Sequence, residues 1–146
     1  NRREKVATNC RKHKKRCIGK KYDCIIGFSG GVDSSYLAYI AKEKLGLRPL
    51  LLLVDTGWNV DVANKNIEKL VKALDLDLET IVVNWEEMKD LQVAFLKSQV
   101  PYQDTPQDHA IFAGLYNYAV KHVFKYVLTG ANYPTEVLSL IWNGHT

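Results

Sequence analysis

Long apolar runs are missing from this 146-residue chain. The longest aliphatic run, Leu50 to Val54, has the length of a strand, far short of the roughly 18–20 residues of a membrane span. No membrane partner is expected. Cysteine is scarce, with Cys10, Cys17 and Cys24 spaced seven apart. On a helix, Cys10 and Cys17 stand two turns or roughly 10.5 Å apart, too far for a disulfide. The spacing fits no common zinc pattern. Free thiols in a reducing compartment follow, and with them a cytoplasmic location. Cys24 reads as a small core residue in a strand. The basic N-terminus is followed by no apolar core and small-residue cleavage site, so nothing marks secretion. Internal repeats are absent, and so is low-complexity sequence beyond the basic head. The chain opens at Asn1 and closes at Thr146 straight after an apolar stretch, which reads as a fragment of a longer protein.

What is present is a balanced composition. Hydrophobic residues make up 47% and charged residues 25%, enough for one packed domain and unlike a disordered chain. The net charge of +4 is unevenly spread. Residues 1–21 hold ten Lys/Arg against Glu4, a net +9, and residues 22–146 hold ten against fifteen Asp/Glu, a net −5. A nucleic-acid reading would rest on the head alone, so nucleic acid is disfavoured as a partner. The expected division is a basic helix or tail over 1–21 and a globular domain over 22–146.

Periodicity orders the domain. Tyr22 to Phe28 reads as a buried strand. Ser34 to Leu45 follows as a helix with Tyr36, Leu37, Ile40, Ala41 and Leu45 on one face, stopped by Gly46. Arg48 to Asp55 is a strand apolar on both sides, and Asp61 to Leu74 a helix facing inward with Ala63, Ile67, Leu70, Val71 and Leu74. Glu79 to Asn84 reads as a strand, Trp85 to Val100 as a helix, Pro101 to Pro106 as a loop and Gln107 to Val123 as a helix. Lys125 to Thr129 is the fourth strand, and Thr135 to Trp142 begins another helix. Such alternation predicts an α/β fold with a doubly wound, open parallel sheet and helices on both faces. Ligands in such sheets sit beyond the carboxyl ends of the strands.

The first of those ends carries Ser29-Gly30-Gly31-Val32-Asp33-Ser34. Paired glycines let backbone approach an anion closely, and a helix N-terminus offers free N–H groups. Ser29 and Ser34 add hydroxyls. Asp33 would repel a phosphate unless a divalent cation lay between them, so the turn predicts phosphate plus Mg²⁺. No Lys follows the glycines as a Walker A loop requires, and Gly27, Gly30 and Gly31 do not spell G-x-G-x-x-G. Asp55 does imitate the ribose-binding acid of the dinucleotide fold, and its alternative is a strand-end cap.

SGGVDS resembles the pyrophosphate loop of the N-type ATP pyrophosphatases, the PP-loop superfamily that includes GMP, NAD and asparagine synthetases and tRNA-thiolating enzymes. The resemblance implies a Rossmann-like sheet of the adenine nucleotide α-hydrolase type. It also implies ATP and Mg²⁺, and cleavage of ATP to AMP and pyrophosphate as a carbonyl oxygen is adenylated. A nucleophile, often ammonia, then displaces AMP. Val54-Asp55-Thr56-Gly57 closes the second strand, where such enzymes hold adenosine. Thr129-Gly130-Ala131-Asn132-Tyr133-Pro134-Thr135-Glu136 resembles the TG-x-N-x-x-x-E element near metal and phosphates in related synthetases. On this reading Ser29 to Ser34, Asp55, Thr129, Gly130 and Asn132 bind nucleotide, and Asp33 and Glu136 hold Mg²⁺.

Lys21 to Glu136 as a whole is similar to the N-acetyl sugar amidotransferases of lipopolysaccharide (O-antigen) biosynthesis. The carrying stretches are YDCIIGFSGGVDSSYLAYIAKEKLGLRPL, VDTGWNVDVANKNIEKLVKALDLDL, NWEEMKDLQVAFLKSQVP and DHAIFAGLYNYAVKHVFKYVLTGANYPTE. Members of that family are longer. This resemblance implies amidation of an acetamido group on a nucleotide-sugar substrate, with ammonia from a separate glutaminase subunit, and it leaves a homodimer open. Asp108 and His109 fall at the start of the fourth helix. Asp108 reads as a cap or an N-terminal charge, and His109 either orients a substrate carbonyl, guides ammonia or fills a rim position. Trp58 and Asn59, after the second strand, are placed to line the nucleotide pocket, and Trp58 reads equally as a partly buried wall residue. Tyr116, Tyr118, His122 and Phe124 read as helix packing, and His13 as solvent-facing. The competing functions are a tRNA-modifying thiolase of the same superfamily and a non-catalytic nucleotide-binding module.

Overall fold

The computed structural model describes residues 21–58 and 61–130. The rest of the basic head with Cys10, His13 and Cys17, as well as Asn59 and the helix expected from Thr135, lie outside the described residues. Four strands form one sheet: β1 Cys24–Gly27, β2 Pro49–Asp55, β3 Asp77–Val82 and β4 Val127–Leu128. Every pairing is parallel and the order is β3-β2-β1-β4. The chain therefore moves outward from β1 to β3, then crosses back to the far side of β1. That reversal opens a crevice at the carboxyl ends of β1 and β4.

The α-helices among the described residues are α1 Val32–Tyr39, α2 Asp61–Leu74, α3 Trp85–Lys97 and α4 Thr105–Lys121. Successive β1 residues alternate between two cores. Cys24 and Ile26 pack with Leu51, Leu53, Ala38, Ala41 and Ile67 on the face covered by α1 and α2. Ile25 packs with Leu52, Leu115 and Ala119 on the face covered by α4. Helices thus lie on both faces, as the alternation predicts.

Several boundaries differ from the periodicity. Strand β1 starts at Cys24 and not at Tyr22. The first helix starts at Val32, so the last residues of the glycine turn are already helical. Beyond Tyr39 it widens into a π turn, Ile40–Lys44, where the Leu45 N–H donates to the Ile40 carbonyl at 3.0 Å. Tyr36 is exposed and does not join the core. Strand β3 lies two residues earlier than expected, because Asp77 pairs with Leu50 and Val82 with Asp55. Asn84 is instead the cap of α3, its Oδ1 accepting from the N–H of Glu86 and Glu87, a task its short side chain suits. Helix α4 starts at Thr105, with Pro106 in the first turn where a missing N–H costs nothing. The expected loop is two residues shorter for that reason. Tyr116 is exposed and stacks on Phe112 at 6.1 Å, while Tyr118 packs with Phe124 and His122.

At the end of the sheet away from the crevice, Asp23 is buried and holds Arg48. Its Oδ1 lies 2.7 Å from Nη2, and its Oδ2 accepts from the Arg48 backbone N–H at 2.8 Å. This clamp fixes the starts of β1 and β2, and with them the register that brings Gly27 beside Leu52.

Candidate functional site

The turn after β1 is held by its own serines. Gly30 adopts φ +76°, a left-handed conformation that favours glycine. The Ser34 hydroxyl is buried, donates to the Gly31 carbonyl at 3.2 Å and lies 3.3 Å from the Ser29 N–H that donates to it. The Ser29 hydroxyl is 3.2 Å from that of Ser34 and accepts from the Gly31 N–H at 3.4 Å. Ser34 therefore secures the loop rather than offering its hydroxyl outward. Gly31 caps α1 without any side-chain hydrogen bond. The N–H groups of the first turn, at Val32, Asp33 and Ser34, have no acceptor within the helix, and this is where an anion is bound best.

Gly130 closes the turn from the β4 side. A Cβ there would stand 3.0 Å from the Asp33 carbonyl carbon and the Ser34 nitrogen. The two strand-end motifs, far apart in sequence, are in backbone contact. Together they enclose a pocket of about 310 Å³, at the small end of ligand sites. Ser29, Gly31, Val32, Asp33, Ser34, Thr129 and Gly130 all line it. Val32 is 84% exposed, so its backbone and not its side chain is the useful part. Gly30 shapes the turn without lining the pocket. Asp33 is exposed and is the one charged side chain among the described lining residues.

Other expected residues fall elsewhere. Asp55 stands at the end of β2 but not on the pocket wall. Its Oδ1 accepts from the Gly57 N–H at 2.9 Å, which supports its strand-end alternative. The buried Thr56 lines the pocket instead. Gly57, at φ +87°, lies directly under the Trp85 indole, and Trp58 meets that indole edge-on at 4.9 Å. Trp58 is therefore a rim residue, 47% exposed. His109 is exposed and off the wall, whereas Gln107, Ile111, Phe112 and Leu115 of α4 are on it. The cause is the phase of the helix against the sheet. A helix turns about 100° per residue, so positions 107, 111 and 115 share a face and 109 points away. That four-residue spacing was the available signal for Gln107. Asp108 is half-buried and its carboxyl is pushed above the usual range, by burial first and by Asp104 second. Asn132 and Glu136 lie outside the described residues.

Among the described residues no three His, Cys, Asp or Glu side chains converge as a metal site. The donors present fit a divalent ion shared between Asp33 and bound phosphates, in the manner of Mg²⁺, which keeps few protein ligands.

A glycine turn feeding a helix, at the reversal point of a parallel sheet, defines an α/β protein of the Rossmann-like type, in which phosphorylated ligands are commonly held at that point. The model of the NAD synthase family matches residues 9–137, and the chain belongs to that family, within the PP-loop superfamily. It is 28% identical over 116 residues to an uncharacterized protein of Methanocaldococcus jannaschii, covering 80% of this chain and 40% of that protein. It is 29% identical over 123 residues to a glutamine-hydrolyzing GMP synthase of Pyrobaculum aerophilum, covering 80% of this chain and 23% of that one. The chain thus spans less than half the length of these curated relatives. The fold matches that of an NH3-dependent NAD synthetase from Campylobacter jejuni, solved with nitrate (TM-score 0.56, 20% identity, 88% of this chain and 56% of that one). It also matches a predicted subunit of tRNA methyltransferase from Methanocaldococcus jannaschii (TM-score 0.59, 24% identity, 82% and 57%).

Proposed function

We propose that this chain carries the ATP site of an amidotransferase of the ligase type, which adenylates an acetamido oxygen of a nucleotide sugar and replaces AMP with ammonia. The observation that carries this reading is the contact of Gly130 with the Asp33–Ser34 backbone. It joins the phosphate turn to the Thr-Gly element in one pocket whose described wall has a single acidic side chain and no base. A site of this kind activates through the nucleotide and needs no nucleophile of its own. The GMP synthase and NAD synthetase likenesses support the class of reaction. The sugar, and a separate glutaminase as ammonia source, rest on the resemblance of the four sequence stretches quoted above.

The acceptor oxygen attacks the α-phosphorus, an O–P bond forms, the bridging P–O bond breaks and pyrophosphate leaves. Ammonia adds to the activated carbon, the C–O bond breaks, AMP departs, and the surplus protons go to solvent. The first-turn N–H groups of α1 bind the departing phosphates, and Ser29 with Ser34 keeps those groups aimed. Thr56, Ile111, Phe112 and Leu115 exclude water from one side. Asp33 would hold Mg²⁺, which when bound offsets charge on the pyrophosphate.

The test is turnover by the full-length protein supplied with ATP, Mg²⁺, ammonium and an N-acetylated nucleotide sugar. Equal amounts of AMP and pyrophosphate are expected, and formation of ADP with orthophosphate refutes the reading. Asp33→Asn should lower the Mg²⁺-dependent rate about a hundredfold or more with thermal unfolding unchanged.

A further inference from the structure

We propose that the outer face of α4 docks on α4 of a second copy of this chain, the two helices running antiparallel about a two-fold axis. This goes beyond the reading above and does not depend on it. It starts from an absence of charge. Residues 109–120 contain no Asp, Glu, Lys or Arg, and His109 and Asn117 are their main polar exceptions. A helix with no charged side is normally a buried one. Only part of α4 is buried. Leu115 and Ala119 pack against the sheet, and Ile111, Phe112 and Leu115 line the pocket. On the outer side His109, Ala113, Tyr116, Val120 and Val123 are all exposed, Val120 by 78%.

Spacing and charge select the occupant. Those five positions follow one another by four, three, four and three residues, the seam of a two-helix coil. A two-fold axis between residues 114 and 115 sets Ala113 against Tyr116 of the second copy, a small residue opposite a large one. The same axis sets His109 against Val120. It also brings the acidic start of each helix, with Asp104 and Asp108, to the basic end of the other, with Lys121 and Lys125. The helix dipoles then oppose each other as well. A parallel mate would put Tyr116 on Tyr116 and acid beside acid. The face is thus complementary to itself in shape and in charge, as an isologous contact requires. Phe112, on the pocket wall, stacks on Tyr116 at 6.1 Å, so the contact lies one ring behind the pocket.

Sedimentation equilibrium of the full-length protein should show a dimer. Val120→Glu puts a carboxylate into the seam and should raise the dimer dissociation constant about a hundredfold or more, with the circular dichroism of a folded chain retained. Adding His109→Lys to Val120→Glu should restore the dimer, because residue 109 meets residue 120 only when the helices run antiparallel. Should Val120→Glu fail to fold, Tyr116→Ala adds no charge and should weaken the dimer about tenfold or more. A wild-type monomer overturns the inference, whether the face is then free, covered by another part of the full-length protein or held by a different protein. A dimer that survives Val120→Glu or Tyr116→Ala overturns it too, since its interface lies elsewhere. A folded Val120→Glu monomer that His109→Lys does not rescue overturns the antiparallel pairing.

Discussion

A methyl group on Gly130 would stand 3.0 Å from the Asp33 carbonyl carbon and the Ser34 nitrogen, and neither backbone atom can retreat without moving the phosphate turn. Gly130→Ala should therefore weaken ATP–Mg²⁺ binding at least tenfold while shifting the melting temperature by only a few degrees, about 1 kcal/mol of strain. Isothermal titration beside a thermal melt separates the two effects. At this scale the sequence was legible where spelling sets geometry: Ser29, Gly31 to Ser34, Thr129 and Gly130 line the pocket, and Gly30 shapes its turn. It was opaque where the phase of a helix against its sheet decides which way a side chain points. Gln107 and His109 stand two positions apart near the start of α4, and packing puts the first on the wall and the second off it.

Element ends hold the next layer of information. Helix α4 ends with the Phe124 N–H bonded to the Ala119 carbonyl and the Val123 N–H to that of Val120. This is a Schellman ending with valine where glycine is usual, at φ +55°. No propensity rule finds a β-branched residue there. Val123→Gly should stabilise the fold by about 0.5–1 kcal/mol, the left-handed strain relieved less the added chain entropy, as a rise in denaturant midpoint at constant slope. At the edge of β3, Asp77 accepts from the Tyr22 hydroxyl at 2.6 Å and pairs with Lys21 at 3.1 Å. These partners, Tyr22 first, hold its carboxyl below the ordinary aspartate range. A lowered folded-state value means stabilisation that is present above pH 3.8 and lost as pH falls through the lowered value. Asp77→Asn should thus melt earlier than the wild type at neutral pH, and the gap should close in acid. Tyr22 read as strand and not as a clasp because its partner Asp77 is remote in sequence.

For the molecule as a whole, the doubly wound parallel sheet followed from alternation, whereas the strand order with its reversal at β1, and the pocket, did not. Its walls combine β1, the glycine turn, α1, β2, α4 and the residues that follow β4, and no single stretch of sequence announces them together. The described wall carries one acidic and no basic side chain, so nucleotide binding should require the metal. ATP with Mg²⁺ at about a hundred times its dissociation constant should add roughly 2.7 kcal/mol of stability, and ATP with a chelator should add little. Differential scanning fluorimetry distinguishes these outcomes, and equal shifts would show that Asp33 needs no cation. Strand β4 pairs through only Ile25 with Val127 and Ile26 with Leu128, yet it supports the Gly130 side of the site. During synthesis the phosphate turn leaves the ribosome long before its lid of backbone does. A nascent chain that stops short of β4 has the glycine turn without the Gly130 wall opposite it, so the pocket is not complete until β4 has paired with β1.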